Sequence, residues 1–473
     1  VLTLGDVPAR FVDLTEEERR NLLQYRHKPG RRVRPAGTLL LLTVFQILLC
    51  LQQLVYNSDA NALCAVGFGA LIALGWVYFI VLRAAGQRGF EPELLALFLS
   101  TVGFSVAVSS VPDAVIRQLI FLGAGVALFL FFGIWMRDLQ RMKTMRLPAL
   151  IAALVFLGLN LVLAKVTYGA QNWVEIAGFR FQPSEFVKIL YIYAGAATLD
   201  RLFVNRNLIF FIGFSAACVG ALALMNDFGT ALVFFVAFLV ISFMRSGSFA
   251  TVFLAVTAAA LGVFLVLTVK PYVIDRFATW GHVWEDVYYK GYQQVRAMSA
   301  AASGGFFGQG AGNGWFVDIV AADTDLVFGV VCEELGLITG LSCVASILAL
   351  AAFVVKNAAA GRSSYFVIAA CGAVTMMMVQ LALNVFGSMD ILPFTGVTFP
   401  FVSRGGSSLL SCWMMMAYLK SADTRREASF AVRPGETISS VSDRAARREA
   451  RASVRAEKKA ARAQKKAAGE SKT

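Results

Sequence analysis

Two aspartates and two glutamates crowd the stretch AADTDLVFGVVCEELG, in which Asp323 and Asp325 lead into an apolar run carrying Glu333 and Glu334. In FQPSEFVKILYIY, Glu185 and Lys188 stand three apart and share one helical face. FPFVSRGGSSLL sets Arg404 beside Gly405, Gly406, Ser407 and Ser408, a combination that can turn backbone N–H groups and a cation toward a phosphate. The chain has only two histidines, His27 and His282, and its seven cysteines are scattered singly through apolar runs. A histidine triad, a disulfide framework and a thiolate metal site are therefore disfavoured, and the chemistry falls to carboxylates, lysine and arginine.

What must position these charges is a membrane bundle. Of the 473 residues, 58% are hydrophobic and 15% charged. Apolar segments of spanning length begin near residues 37, 61, 92, 114, 147, 184, 206, 229, 249, 326, 364 and 397. The composition thus predicts an all-α, polytopic integral membrane bundle of about twelve transmembrane helices. One long extracellular loop, 270–325, joins the ninth and tenth. Lys and Arg set the orientation: the N-terminal arm holds eight and RDLQRMKTMR four, and such loops alternate with Lys/Arg-poor ones. Both termini are expected in the cytoplasm, and no removable signal peptide is evident. Fifteen Lys and Arg in residues 420–473 account for much of the net charge of +13. With no aromatics interleaved past Phe430, this tail suits anionic lipid headgroups rather than nucleic acid.

A lysine one turn inside an apolar helix needs a partner within the bundle. Asp325 lies at a comparable depth, so a Lys188–Asp325 pair is expected, either catalytic or merely locking the bundle. Glu333 and Glu334 fall about 12–13 Å deeper at 1.5 Å per residue, which suggests a structural role with Gln380 or Asn384. Arg117, inside the fourth helix, reads as an internal partner or a snorkelling cation. Asp227 opens the eighth helix. The Trp-, Tyr- and Gly-rich loop suits headgroup insertion and close backbone approach to a ligand.

Taken in order, GAQNW, FQPSEFVKI, NDFGT, WED with GYQ, SGGFFGQGAGNG, DTDLVF followed by EELG, and FPFVSRGGSSLL resemble the SEDS family, the FtsW, RodA and SpoVE proteins of bacterial wall synthesis. The resemblance covers roughly residues 90–420 and is strongest after 165. It implies a peptidoglycan glycosyltransferase of the cytoplasmic membrane that polymerises lipid II on the outer face, in division, elongation or sporulation. The implied partner is a class B penicillin-binding protein. It also implies that Asp325 is the essential loop aspartate, Lys188 its associated lysine, Glu185 the motif glutamate and Trp173 the external-loop tryptophan. In such a reaction one carboxylate takes the acceptor hydroxyl's proton while cations stabilise the departing pyrophosphate. Arg296 and Arg404 are candidate pyrophosphate contacts, with Ser407 beside them.

The chain departs from the family pattern in places. Asp323 stands where histidine is usual, Arg404 where tyrosine is, and Asn226 where proline precedes the aspartate. The two new charges could compensate each other, or Asp323 could act as the base or help hold Mg2+ or Mn2+. Five helices precede QPSE instead of three. The expected layout is a basic arm at 1–36, two additional transmembrane helices at 37–90, a SEDS-like membrane domain at 91–420 and a basic tail at 421–473. A flippase for lipid-linked precursor and an inactive scaffold for a transpeptidase are the alternative readings.

Overall fold

The computed structural model describes residues 34–430 apart from 58–61, 168–169, 177–178, 200–204, 248, 251, 259, 261–278, 359–362 and 426–427. The basic arm before residue 34 and the tail beyond 430, with its expected attraction to anionic lipid, lie outside the described residues.

Hydrocarbon offers no partner to a backbone N–H or C=O, so each spanning segment must pair its own and becomes helical. The sequence accordingly folds into α1 (Pro35–Tyr56), α2 (Ala62–Ala84), α3 (Glu91–Ser110), α4 (Val115–Trp135), the short α5 (Leu139–Thr144), α6 (Arg146–Leu163) and α7 (Pro183–Leu199). It continues with α8 (Asn205–Leu224), α9 (Phe228–Ser246), α10 (Tyr292–Gly304), α11 (Val327–Ala358), α12 (Ser364–Ser388) and α13 (Gly406–Ser421). Among the described residues, seven helices are long and apolar enough to cross a membrane, and α8 and α9 contain shorter apolar helices. The segment expected from residue 249 is helical at 252–258.

Burial separates centre from rim. The apolar stretch of α3 is 78% buried and that of α12 67%, against 22–33% for α1, α2, α4, α6 and α11. The rim helices turn residues such as Leu41, Val55, Val77 and Ile151 outward, as a lipid-facing surface requires. Of the two additional helices, α1 is tied inward by Gln46 Nε2, which donates to Thr101 Oγ1 on α3 at 2.9 Å, and α2 is tied to α1 by Trp76 Nε1, which donates to Thr43 Oγ1 at 2.9 Å.

Three features depart from the expected layout. First, a small antiparallel sheet, β1 (Lys165–Thr167), β2 (Ala170–Ile176) and β3 (Phe179–Phe181), joins α6 to α7, with Val174 opposite Phe181 and Ile176 opposite Phe179. Second, the last helix starts at Gly406 rather than near 397, because Pro400, the left-handed Phe401 (φ 66°) and Gly405 interrupt the run. Third, the long loop contains α10.

Most consequential is the break in α11. Gly336 adopts φ 84°, ψ 163°, a conformation accessible essentially to glycine alone. The groups freed there pair with the loop 305–310. The carbonyls of Glu333 and Glu334 accept the N–H groups of Gln309 and Gly310, both at 2.9 Å, and the Leu337 N–H donates to Gly305 O at 2.9 Å. A Cβ on Gly304 would lie 2.0 Å from Cys332 O, and one on Gly308 2.2 Å from Glu334 O. The close approach expected of these glycines is thus to the backbone of α11 and not to a ligand.

At the Glu91 end of α3, the buried Lys420–Glu93 pair (2.6 Å) and Arg425, which grips Glu91 through two 2.9 Å bonds, fasten the chain after α13. Burial pulls the Arg425 guanidinium down, but bonds to Asp423 and Glu91 hold it above its ordinary value. Phe430 then closes against Gly133 on α4.

A Gly336→Ala substitution is expected to cost at least about 1–3 kcal/mol from backbone strain. It would also force a clash, since its Cβ would fall 2.3 Å from Phe306 O. Gly158→Ala, with nothing within 4 Å, is the matched control. Thermal unfolding in detergent checks this: Gly336→Ala should melt clearly lower and Gly158→Ala near the parent.

Candidate active site

The site is built around the three residues ahead of α11. A turn with Ala321 at φ 63° brings the Asp325 N–H to Ala321 O at 2.9 Å. Each carbonyl of Asp323, Thr324 and Asp325 then takes a donor from elsewhere in the chain. The Arg404 N–H reaches Asp323 O at 2.8 Å, Ser403 Oγ donates to Thr324 O at 2.5 Å, and Asn384 Nδ2 donates to Asp325 O at 2.9 Å. Asn384 Nδ2 also donates to Val397 O at 2.9 Å, so one amide on α12 joins both irregular segments. Glycines permit the approach of 395–405. A Cβ on Gly103 would lie 2.5 Å from Phe401 O, and one on Gly396 3.3 Å from Asp325 Oδ2.

Asp325 and Asp323 line a cavity of about 800 Å³. Arg404, Ser407 and Ser408 contribute the start of α13, Trp173 and Asn172 come from β2, and Lys290 and Gln293 come from the loop and α10. The side chains of Arg404 and Asp323 form an ion pair, so the two departures from the family pattern meet in space. Ser407 Oγ accepts the Gln182 N–H at 3.4 Å.

A second aspartate organises the far wall. Asp227 caps α9, accepting the Thr230 N–H at 3.1 Å, and receives Asn172 Nδ2 and Gln182 Nε2, each at 3.3 Å. The motifs GAQNW, QPSE and NDFGT therefore converge on one carboxylate. Asn226 adopts φ 61°, which asparagine tolerates and proline cannot reach.

The expected Lys188–Asp325 pair is not formed. Lys188 Nζ instead binds Glu185 Oε1 at 2.7 Å, and Glu185 Oε2 accepts Ser411 Oγ at 2.5 Å. One helical turn is the shorter reach. Both residues are buried and neither lines the cavity. They join α7 to α13, directly beneath Ser408, whose carbonyl also accepts Ser411 Oγ at 3.0 Å. Arg296 likewise stays off the cavity wall and lies over the Tyr292 ring at 5.3 Å. Arg117, expected as an internal partner or a snorkelling cation, is exposed and lines the cavity.

Glu333 and Glu334 serve the loop rather than Gln380 or Asn384. Glu333 accepts the N–H groups of Trp315 (3.2 Å) and Phe316 (3.0 Å), and Glu334 accepts Ser109 Oγ at 2.7 Å. Among the described residues, no cluster of three or more His, Cys, Asp or Glu could hold a metal ion. Sequence reasoning singled out neither Ser403 nor Lys290, and it placed Asn384 with the wrong partners. Ser403 lies inside a motif, Lys290 in the turn before α10 and Asn384 in a helix, each with no spacing signal of its own.

Comparison with known proteins agrees with this architecture. The cell cycle protein family of FtsW, RodA and SpoVE matches residues 93–428. The peptidoglycan glycosyltransferase RodA of Mycobacterium tuberculosis is 31% identical over 64% of this chain and 69% of its own length. The probable peptidoglycan glycosyltransferase FtsW of Tolumonas auensis is 31% identical over 72% of this chain and 96% of its own. A chain in a peptidoglycan synthase complex, solved to show how polymerization and crosslinking are coordinated, superposes with a TM-score of 0.58 at 26% identity, over 71% of this chain and 97% of that one. With its multi-pass helical bundle and its converging motifs, this chain belongs to the FtsW/RodA/SpoVE family.

Proposed function

We propose that this protein is a peptidoglycan glycosyltransferase that polymerises lipid II in the cavity beside Asp325. What carries this reading is an aspartate side chain on the cavity wall, in a segment whose three successive carbonyls are each held, with cationic side chains lining the same cavity. Asp325 takes the proton from the acceptor sugar's 4-hydroxyl as that oxygen attacks the donor's anomeric carbon. The bond to the lipid pyrophosphate breaks, and the leaving group departs as an anion needing cations rather than a second acid. Arg404 and Lys290, which line the same cavity, meet it, with Ser407 beside them. Asp323 is committed to Arg404, which favours Asp325 as the base.

Lys188 and Glu185 act from beneath, holding α13 in place under Ser408. Trp173, at the cavity wall, offers a flat apolar surface to a sugar ring. The reading places the cavity on the outer face of the cytoplasmic membrane and both termini inside. A class B penicillin-binding protein would cross-link the strands.

Two outcomes are expected in proteoliposomes with labelled lipid II. Asp325→Asn should lose roughly a hundredfold or more in polymerisation while melting near the parent; chains of normal length at the normal rate would refute the assignment. Asp323→His and Arg404→Tyr should each slow polymerisation, and the double variant should recover. The coupling should be about 0.5–3 kcal/mol, and strictly additive losses would contradict the pairing.

A further inference from the structure

Helix α1 precedes the residues that match the family, and the glycosyltransferase reading gives it no role. Its last turn nevertheless touches the loop that follows α10. Gln52 Oε1 accepts the Ala311 N–H at 3.3 Å. A Cβ on Gly310 would lie 2.9 Å from the Tyr56 ring, and one on Gly312 2.7 Å from Asn57 Cβ. Buried Gln53 reaches the same loop by a second route. Its Nε2 donates to Ser109 Oγ at 2.6 Å and Ser105 O at 3.1 Å, and Ser109 Oγ donates to Glu334 Oε2 at 2.7 Å.

The loop in turn sets α10 against α11. It leaves α10 at Gly304, pairs with the break at Gly336, and returns through Trp315 and Phe316 to Glu333. The Phe316 ring then packs against Gly329, four residues past Asp325. From α10 come Gln293 and Gln294 of the cavity wall.

We infer that α1 is a built-in brace for this loop, with Gln52 and Gln53 as positioning residues that hold α10 and the start of α11 in register across the cavity. Neither glutamine touches the cavity, so the brace acts on turnover rather than on lipid II binding. The activity arm of the test rests on the glycosyltransferase reading, and the exchange arm does not.

The full chain in proteoliposomes carries Gln52→Leu, Gln52→Glu or Gln53→Met, with lipid II polymerisation and amide hydrogen exchange followed in parallel. Gln52→Leu removes the acceptor for Ala311, whereas Gln52→Glu keeps one. Loss of such a bond corresponds to roughly a three- to tenfold effect. Gln52→Leu and Gln53→Met should lower kcat by that factor with KM within about twofold, and should speed exchange at residues 310–316 while α12 and α13 stay protected. Gln52→Glu should restore both. Parent-like exchange in Gln52→Leu overturns the brace, as does faster exchange with unchanged kcat; Gln52→Leu decides alone if Gln53→Met does not fold. If the parent itself makes no glycan, the function reading fails and exchange alone decides whether α1 braces the loop.

Discussion

Everything at the cavity depends on how the chain satisfies backbone groups it cannot pair within a helix. A carbonyl left bare near membrane depth costs several kcal/mol by order of magnitude. The segment Asp323–Thr324–Asp325 exposes three in a row, and each has its own donor: the Arg404 N–H, Ser403 Oγ and Asn384 Nδ2. Because those donors come from two other parts of the chain, Asp325 cannot shift without breaking several bonds together. The backbone that carries the Asp325 side chain to the cavity wall is thus fixed by the fold itself, which is the preorganisation that the proposed proton transfer requires.

The same constraint explains the glycines. An interrupted helix at Gly336 is tolerable only because another strand of backbone lies against it, and that strand can come near only where side chains are missing. Glu333 and Glu334 extend the logic, since their carboxylates and carbonyls together accept donors from the loop and from α3. Charge in this part of the bundle serves architecture, and the residues proposed for catalysis line the cavity instead.

Much of this was legible in the sequence. Hydrophobic runs locate the helices, and the motifs in their order identify the family. The Asp323–Arg404 contact was signalled by two departures of opposite charge. What went astray was partner choice. Lys188 was matched to a carboxylate at equal depth, but Glu185 sits one turn away on its own helix and is nearer. Glu333 and Glu334 were matched to polar residues of α12, whereas backbone N–H groups of the loop, invisible to a reading of side-chain types, bind Glu333. The late start of α13 and the small sheet escaped because hydropathy weighs neither Pro400 nor short paired strands. Asn384 shows the limit most plainly: its two acceptors come from segments 59 and 13 residues away in sequence.

That asparagine offers the most direct test of the central claim, because it holds Asp325 in place without lining the cavity. In Asn384→Leu, steady-state polymerisation of labelled lipid II should fall about tenfold or more in kcat with KM nearly unchanged. The protein should remain folded by thermal melting. A folded Asn384→Leu protein that polymerises at the parent rate would contradict the account, since Asp325 would then need no anchor at its carbonyl.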